Sequence, residues 1–159
     1  MIGGWYKEWQ QGRRFIIKVK PGEKIRERLI AFARETGIKN AVIVSAVGSV
    51  VNIHFRGIKT GAKRPITPPR THEHYAEGPL ELLGLEGNLI PNESGEIDSH
   101  LHIMLAKSSG EMIGGHMFEA EVFASCEIML TEILVEGVER HASKSGGIPT
   151  IFIDEENES

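Results

Sequence analysis

The hydrophobic positions change period several times along the chain, and each change marks an element. Arg13–Lys20 (RRFIIKVK) reads as a strand that stops at Pro21-Gly22, a turn signal. From Glu23 to Thr36 the period becomes helical: Ile25, Leu29, Phe32 and Ala33 share one face, Arg26, Glu27, Arg34 and Glu35 decorate the rest, and Gly37 supplies a C-cap. Asn40–Val47 is an apolar β-type run broken at Gly48. In the following Val50–Arg56, Val51, Ile53 and Phe55 alternate with Asn52, His54 and Arg56, the mark of a strand with one buried and one polar face. Residues 57–78 hold Gly57, Gly61, Pro65, Pro68, Pro69 and Gly78, which predict one long irregular loop. After it come a strand at Leu80–Ile90, a hairpin connection at Pro91–Glu96, a strand at Ser99–Lys107 and a turn at Ser108–Glu111. A short strand, Met112-Ile113, then ends at Gly114-Gly115, and a long strand follows at Glu119–Leu134. There is no internal repeat. One helix followed by mostly antiparallel β predicts an α+β domain with the helix packed on a sheet. The predicted organisation is a single domain over 1–145, with the basic loop 57–78 inserted, and a mobile acidic tail over 146–159.

Length and composition narrow the classes. The 159 residues suit one domain with a real hydrophobic core, and 40% hydrophobic with 25% charged residues is ordinary globular composition. A single cysteine excludes a disulfide framework and any multi-cysteine metal site; Cys126, in the long strand, reads as an inert core thiol. No apolar stretch approaches the length of a membrane span, and the first residues lack a secretory pattern, so a soluble cytoplasmic protein is expected. The net charge of −4 hides a split: residues 1–76 hold 15 Lys/Arg against 5 Asp/Glu, and residues 77–159 hold 3 against 17. A nucleic-acid arm with an acidic tail could give this pattern, but complementary faces meeting within the fold or between subunits explain it more simply.

Three of the seven histidines sit close in sequence: Ser99-His100-Leu101-His102, then Gly114-Gly115-His116. In a strand His100 and His102 point the same way, about 6.5–7 Å apart, while Leu101, Ile103 and Leu105 point into the core. A turn at Ser108–Glu111 can fold His116 back beside them. Three histidines with one open position make a catalytic or ligand-binding metal arrangement; the alternative is a set of surface histidines on a polar sheet face. Glu81, Glu111, Glu119 and Glu121 are candidates for orienting ligands or for acid–base work, and Arg56 for binding an anionic group. His54 and the pair His72 and His74 carry less signal, the latter because a loop fixes no side-chain direction.

These blocks resemble one family. Gly78-Pro79-Leu80-Glu81-Leu82-Leu83-Gly84-Leu85-Glu86-Gly87 is similar to the Gly-x-x-Glu-Ile-Leu-Ser-Leu-x-Gly signature of the plants-and-prokaryotes-conserved (PPC) domain. His100-Leu101-His102-Ile103-Met104-Leu105-Ala106 with Gly110 and Gly114-Gly115-His116 resembles its His-x-His-x-x-Leu-Ala…Gly-x-x-x-Gly-Gly-His block, and Ala46–Val50 its Gly-Ser-Val turn. The resemblance runs from about Phe15 to Val135. It implies a PPC-type α+β subunit assembling as a homotrimer, with metal, usually zinc, on His100, His102 and His116, and an architecture shared with acetolactate decarboxylase. Plant relatives carry Arg-Gly-Arg-Pro AT-hooks that bind DNA; the nearest stretch here, Gly61-Ala62-Lys63-Arg64-Pro65, lacks that core.

Two functions follow as expectations. The first is a metal-binding trimer whose three-histidine site binds or transforms a small anionic ligand; if it turns over, the chemistry is that of a metal-dependent lyase, decarboxylase or hydrolase, with Glu81 and Arg56 as catalytic candidates. A trimeric regulatory module in which the metal only senses or stabilises is a variant of it. The second is a DNA-binding or transcription-associated protein acting through the basic loop, where Arg56, Lys59, Lys63, Arg64 and Arg70 lie with no acid between them. Contacts from all five to phosphates would give a log–log salt slope of about −4.5.

Overall fold

The computed structural model describes residues 4–158. The elements are β1 (Gln10–Val19), α1 (Ile25–Thr36), β2 (Ala41–Ile58), β3 (Thr71–Ala76), β4 (Leu80–Pro91), β5 (Ile97–Ala106), β6 (Met112–Leu134), β7 (Val138–Ala142) and β8 (Pro149–Ile153). β1 to β6 form one antiparallel sheet in the order β1-β6-β5-β4-β2-β3, and β2 also pairs with β6, so that β2, β4, β5 and β6 close on themselves. α1 packs against β5 and β6, burying Ile25, Leu29, Ile30 and Ala33. They join strand residues such as Val19, Ile53, Leu85, Leu101, Ile103 and Ile128 in one continuous core. The α+β architecture with one main helix is as the sequence predicts. Among the described residues, no helix is long and apolar enough to cross a membrane.

The helix begins at Ile25 rather than Glu23, and no side chain next to it in sequence caps it. The cap comes from β6: Glu119 accepts the backbone N–H of Arg26 at 2.8 Å and of Glu27 at 3.1 Å, satisfying two of the donors a helix start leaves free. At the other end Gly37 takes the left-handed conformation (φ 72°), and its N–H turns back to the Arg34 carbonyl.

Two predicted breaks are not breaks. β2 continues through Gly48, where a Cβ would lie 2.1 Å from the Ser125 carbonyl oxygen. β6 likewise runs unbroken from Met112 through Gly114-Gly115. In both places glycine permits close strand approach instead of ending pairing. Nor is the segment 57–78 irregular throughout. After a 3₁₀ turn at Pro68–Arg70, the six residues Thr71–Ala76, free of Gly and Pro, pair with Ile53–Ile58 of β2 as β3. The expected mobile tail 146–159 contains β8, which pairs with β7. There His141 stacks on Phe152 with centroids 4.3 Å apart.

The charge split is partly resolved inside the chain. Arg13 holds Glu132 through Nε and Nη2, Lys7 reaches Asp154 at 2.7 Å and Glu155 at 3.2 Å, and Arg26 reaches Asp98 at 3.5 Å. Each pair joins the basic first half to the acidic second.

Candidate metal centre

On β5, burial alternates: Leu101, Ile103 and Leu105 are inside, and His100, His102 and Met104 face out. β6 then places His116 directly opposite His102. One nitrogen of each of the three rings lies within 4.8 Å of the others, and the Nε2 atoms of His100 and His102 are 3.2 Å apart. Zinc–nitrogen bonds of about 2.0–2.1 Å in a tetrahedron place neighbouring nitrogens roughly 3.3–3.4 Å apart. The His100–His102 spacing matches such an ion, and His116 completes a set of three nitrogens within reach of it.

Gly114-Gly115 makes this convergence possible. A Cβ on Gly114 would lie 2.2 Å from the Ile103 carbonyl oxygen of β5, and one on Gly115 would lie 2.3 Å from the Arg56 carbonyl oxygen of β2. The two glycines let β6 pass closely between both neighbours just before His116. Their close approach is thus to the adjoining strands.

His100 and His116 line a cavity of about 580 Å³, within the usual range for ligand pockets, while His102 lies toward a second depression beside Glu86. Burial, reinforced by the nearby Arg56 guanidinium and the other imidazoles, pushes His116 down to about 4. His100 is lowered by burial, then by His102 and Arg140. Both are neutral near pH 7, the form a metal binds. Arg56 pairs in register with His116, lines the cavity and lies over the Phe118 ring at 5.4 Å. His54 lines it too, its Nε2 3.0 Å from Glu73 and its ring stacked on Tyr75.

The four glutamates named from sequence lie elsewhere. Glu81 sits beside Val47, Gly48 and Ser49 in a separate depression, five residues before the Glu86 that faces His102 across the strands. Glu111 pairs with Lys107 at 2.9 Å, Glu119 caps α1, and Glu121 accepts from the Asn52 side chain. The Lys107–Glu111 pair is local, whereas Arg26 and Asn52, the partners of Glu119 and Glu121, lie 93 and 69 residues away and are brought near only by the fold. His72 and His74 stack on each other on β3, away from the triad.

Sequence reasoning missed the cationic wall. Arg140 on β7 is only 3% exposed, and its Nη2 donates to Asn88 Oδ1. Its Nε lies 3.3 Å from Asp98 Oδ2, and burial pulls the guanidinium below its ordinary pKa. Arg26 donates through Nε to Ser99 and faces the other oxygen of Asp98. All of these except Asn88 line the cavity. One signal was available: Arg140 is one of only three basic residues in the acidic half.

Residues 6–134 match the model of the Plants and Prokaryotes Conserved (PCC, or PPC) domain. A crystal structure of a metal-containing protein from Archaeoglobus fulgidus is similar at 28% identity and a TM-score of 0.81, covering 94% of this chain and 99% of that one. A plant- and prokaryote-conserved protein from Pyrococcus horikoshii is similar at 27% identity and a TM-score of 0.78, covering 92% and 96%. AT-hook motif nuclear-localized protein 14 of Arabidopsis thaliana is 30% identical over 101 residues, 63% of this chain and 22% of that protein. The chain spans between 16% and 38% of the length of the curated relatives it matches.

Proposed function

From its membership of the Plants and Prokaryotes Conserved domain family, we propose that this chain is a metal-binding subunit of a homotrimer, with a divalent transition metal, zinc foremost, on His100, His102 and His116 and a small anionic ligand at the open position. The observation that carries the reading is the convergence of three imidazole nitrogens within 4.8 Å, beside a cavity edged with arginines. That a relative at 28% identity is described as metal-containing supports it. A divalent ion there would polarise a carbonyl or carboxylate, or activate a water. Arg56, over Phe118 at the cavity edge, attracts the anion, while Glu81 lines a separate depression.

Elemental analysis of tag-free protein tests the assignment. The expected result is close to one metal per chain in the wild type and a large loss in His102→Ala. Equal content in both overturns it. Assembly is supported by the outward sheet face, where Ile16 (79% exposed) and Met129 (51%) stand opposite each other near Val47 (47%). Such an apolar face suits contact with further copies of the chain. Light scattering should give three times the 17.6 kDa chain mass; a monomer at micromolar concentration rejects it.

DNA contact is the second reading, favoured by the name of the AT-hook relative and by the exposed Lys63 and Arg64. It is weak and sequence-independent here. A gel shift at two salt concentrations decides it, and nanomolar selective binding that survives Lys63→Ala/Arg64→Ala would restore DNA recognition as the main function.

A further inference from the structure

Arg140 is a buried cation with an incomplete set of acceptors. Asn88 takes one N–H from Nη2, Asp98 faces Nε without a hydrogen bond, and among the described residues Nη1 has no hydrogen-bond partner. A buried charge left this way is costly unless something supplies the missing acceptor. The surrounding wall does not supply it. Arg26, Arg56 and Arg140 set three positive charges against the single carboxylate of Asp98, which Arg26 and Arg140 share.

The positive charge is gathered at two places. One is Arg56, in register with His116 of the triad. The other is the Arg26–Asp98–Arg140 cluster. Asp98 and His100 are two residues apart on β5, about 6.5–7 Å along the strand, so a short carbon chain separates the two poles. Phe118, Ile148 and Pro149 add apolar wall to the same cavity. Arginines pair with phosphate as well as with carboxylate, and a compact phosphate gains further from the backbone N–H groups of a helix start. The α1 start beside this cavity is already filled by the Glu119 carboxylate.

We propose that the cavity binds a small dicarboxylate, one carboxylate at the metal held by His100, His102 and His116 and the other at the guanidinium pair of Arg26 and Arg140, with Arg56 adding attraction. The inference rests on the metal reading for its first pole and on the Arg26–Asp98–Arg140 cluster for its second.

Calorimetric titration of zinc-loaded protein with succinate, butyrate and inorganic phosphate tests it. Succinate is expected to bind, with butyrate at least roughly tenfold weaker. Arg140→Gln should keep its metal and lose roughly ten- to hundredfold in succinate affinity, the size expected for a charge-assisted hydrogen bond, with butyrate unchanged. If circular dichroism shows that Arg140→Gln does not fold, Arg26→Gln replaces it, with a smaller loss for succinate because that side chain is partly exposed. Equal affinity for succinate and butyrate, phosphate binding tighter than succinate, no succinate binding at millimolar concentration, or wild-type succinate affinity in the folded variant each overturns the proposal. Protein without metal at the triad defeats the metal reading separately. Arg140-dependent succinate binding to that metal-free protein upholds the guanidinium pole, and its absence overturns it.

Discussion

A neutral imidazole, half-buried and beside the Arg56 guanidinium, makes His116 the residue on which the acid response turns. In the metal-free protein its folded value is about 4, against an ordinary 6.5. The unfolded chain therefore takes up a proton that the folded chain refuses. The His116 contribution to stability is complete above about pH 6.5 and is lost progressively as pH falls through about 4. Thermal unfolding in chelator should show the midpoint dropping over that window, with a shallower drop in His116→Asn. Identical pH profiles would contradict it. The triad itself was legible, because the two-residue repeat of a strand fixes His100 and His102 on one face without knowledge of the fold. Arg140 was not: its partners Asn88 and Asp98 lie 52 and 42 residues earlier, and only tertiary placement of β7 brings them together.

At the scale of elements, Gly115 is where strand geometry and site geometry coincide. Gly115→Ala places a Cβ against the Arg56 carbonyl, and we expect a stability loss of about 1–3 kcal/mol, as for other overpacked sites. Metal content should fall too, although no ligand has been changed, because the Arg56–His116 register is displaced. Gly57→Ala is the control: a Cβ there meets nothing within 4 Å. Denaturant unfolding and elemental analysis of both variants check the pair, and equal behaviour would refute the role given to Gly115. The strands with a clear period, β1, β4 and β5, could be read from sequence to within a few residues. β3 and β8 could not. Each is a short strand beside Pro- and Gly-rich chain and is defined by the strand it pairs with. Glycines inside β2 and β6 misled for the opposite reason: the same residue that ends a strand also allows two strands to touch.

Over the whole molecule, the basic first half is less available than its count of charges suggests. Arg70 donates to the carbonyls of Lys63 and Pro65, Lys59 donates to that of Pro69, and Arg56 faces the cavity. Of the five cations, Lys63 and Arg64 remain for phosphate. The slope of log affinity against log salt is then expected at about −1.8, from −0.9 per phosphate. A filter-binding series over several salt concentrations measures it, and a slope near −4.5 would show that the loop rearranges on DNA to free all five.

The Ile66 N–H donates to the Gly146 carbonyl at 2.7 Å. This bond fastens the basic loop to the turn between β7, which carries Arg140, and β8, which begins at the cavity-lining Pro149. The Ile66 amide can exchange with solvent deuterium when the loop and hairpin separate. An anion that fixes Arg140 steadies that hairpin, so the deuteration rate at Ile66 becomes a clock for cavity occupancy read from outside the cavity. Saturating succinate is expected to slow it several-fold, and an unchanged rate in the bound protein would show that the hairpin opens independently of the arginine it carries.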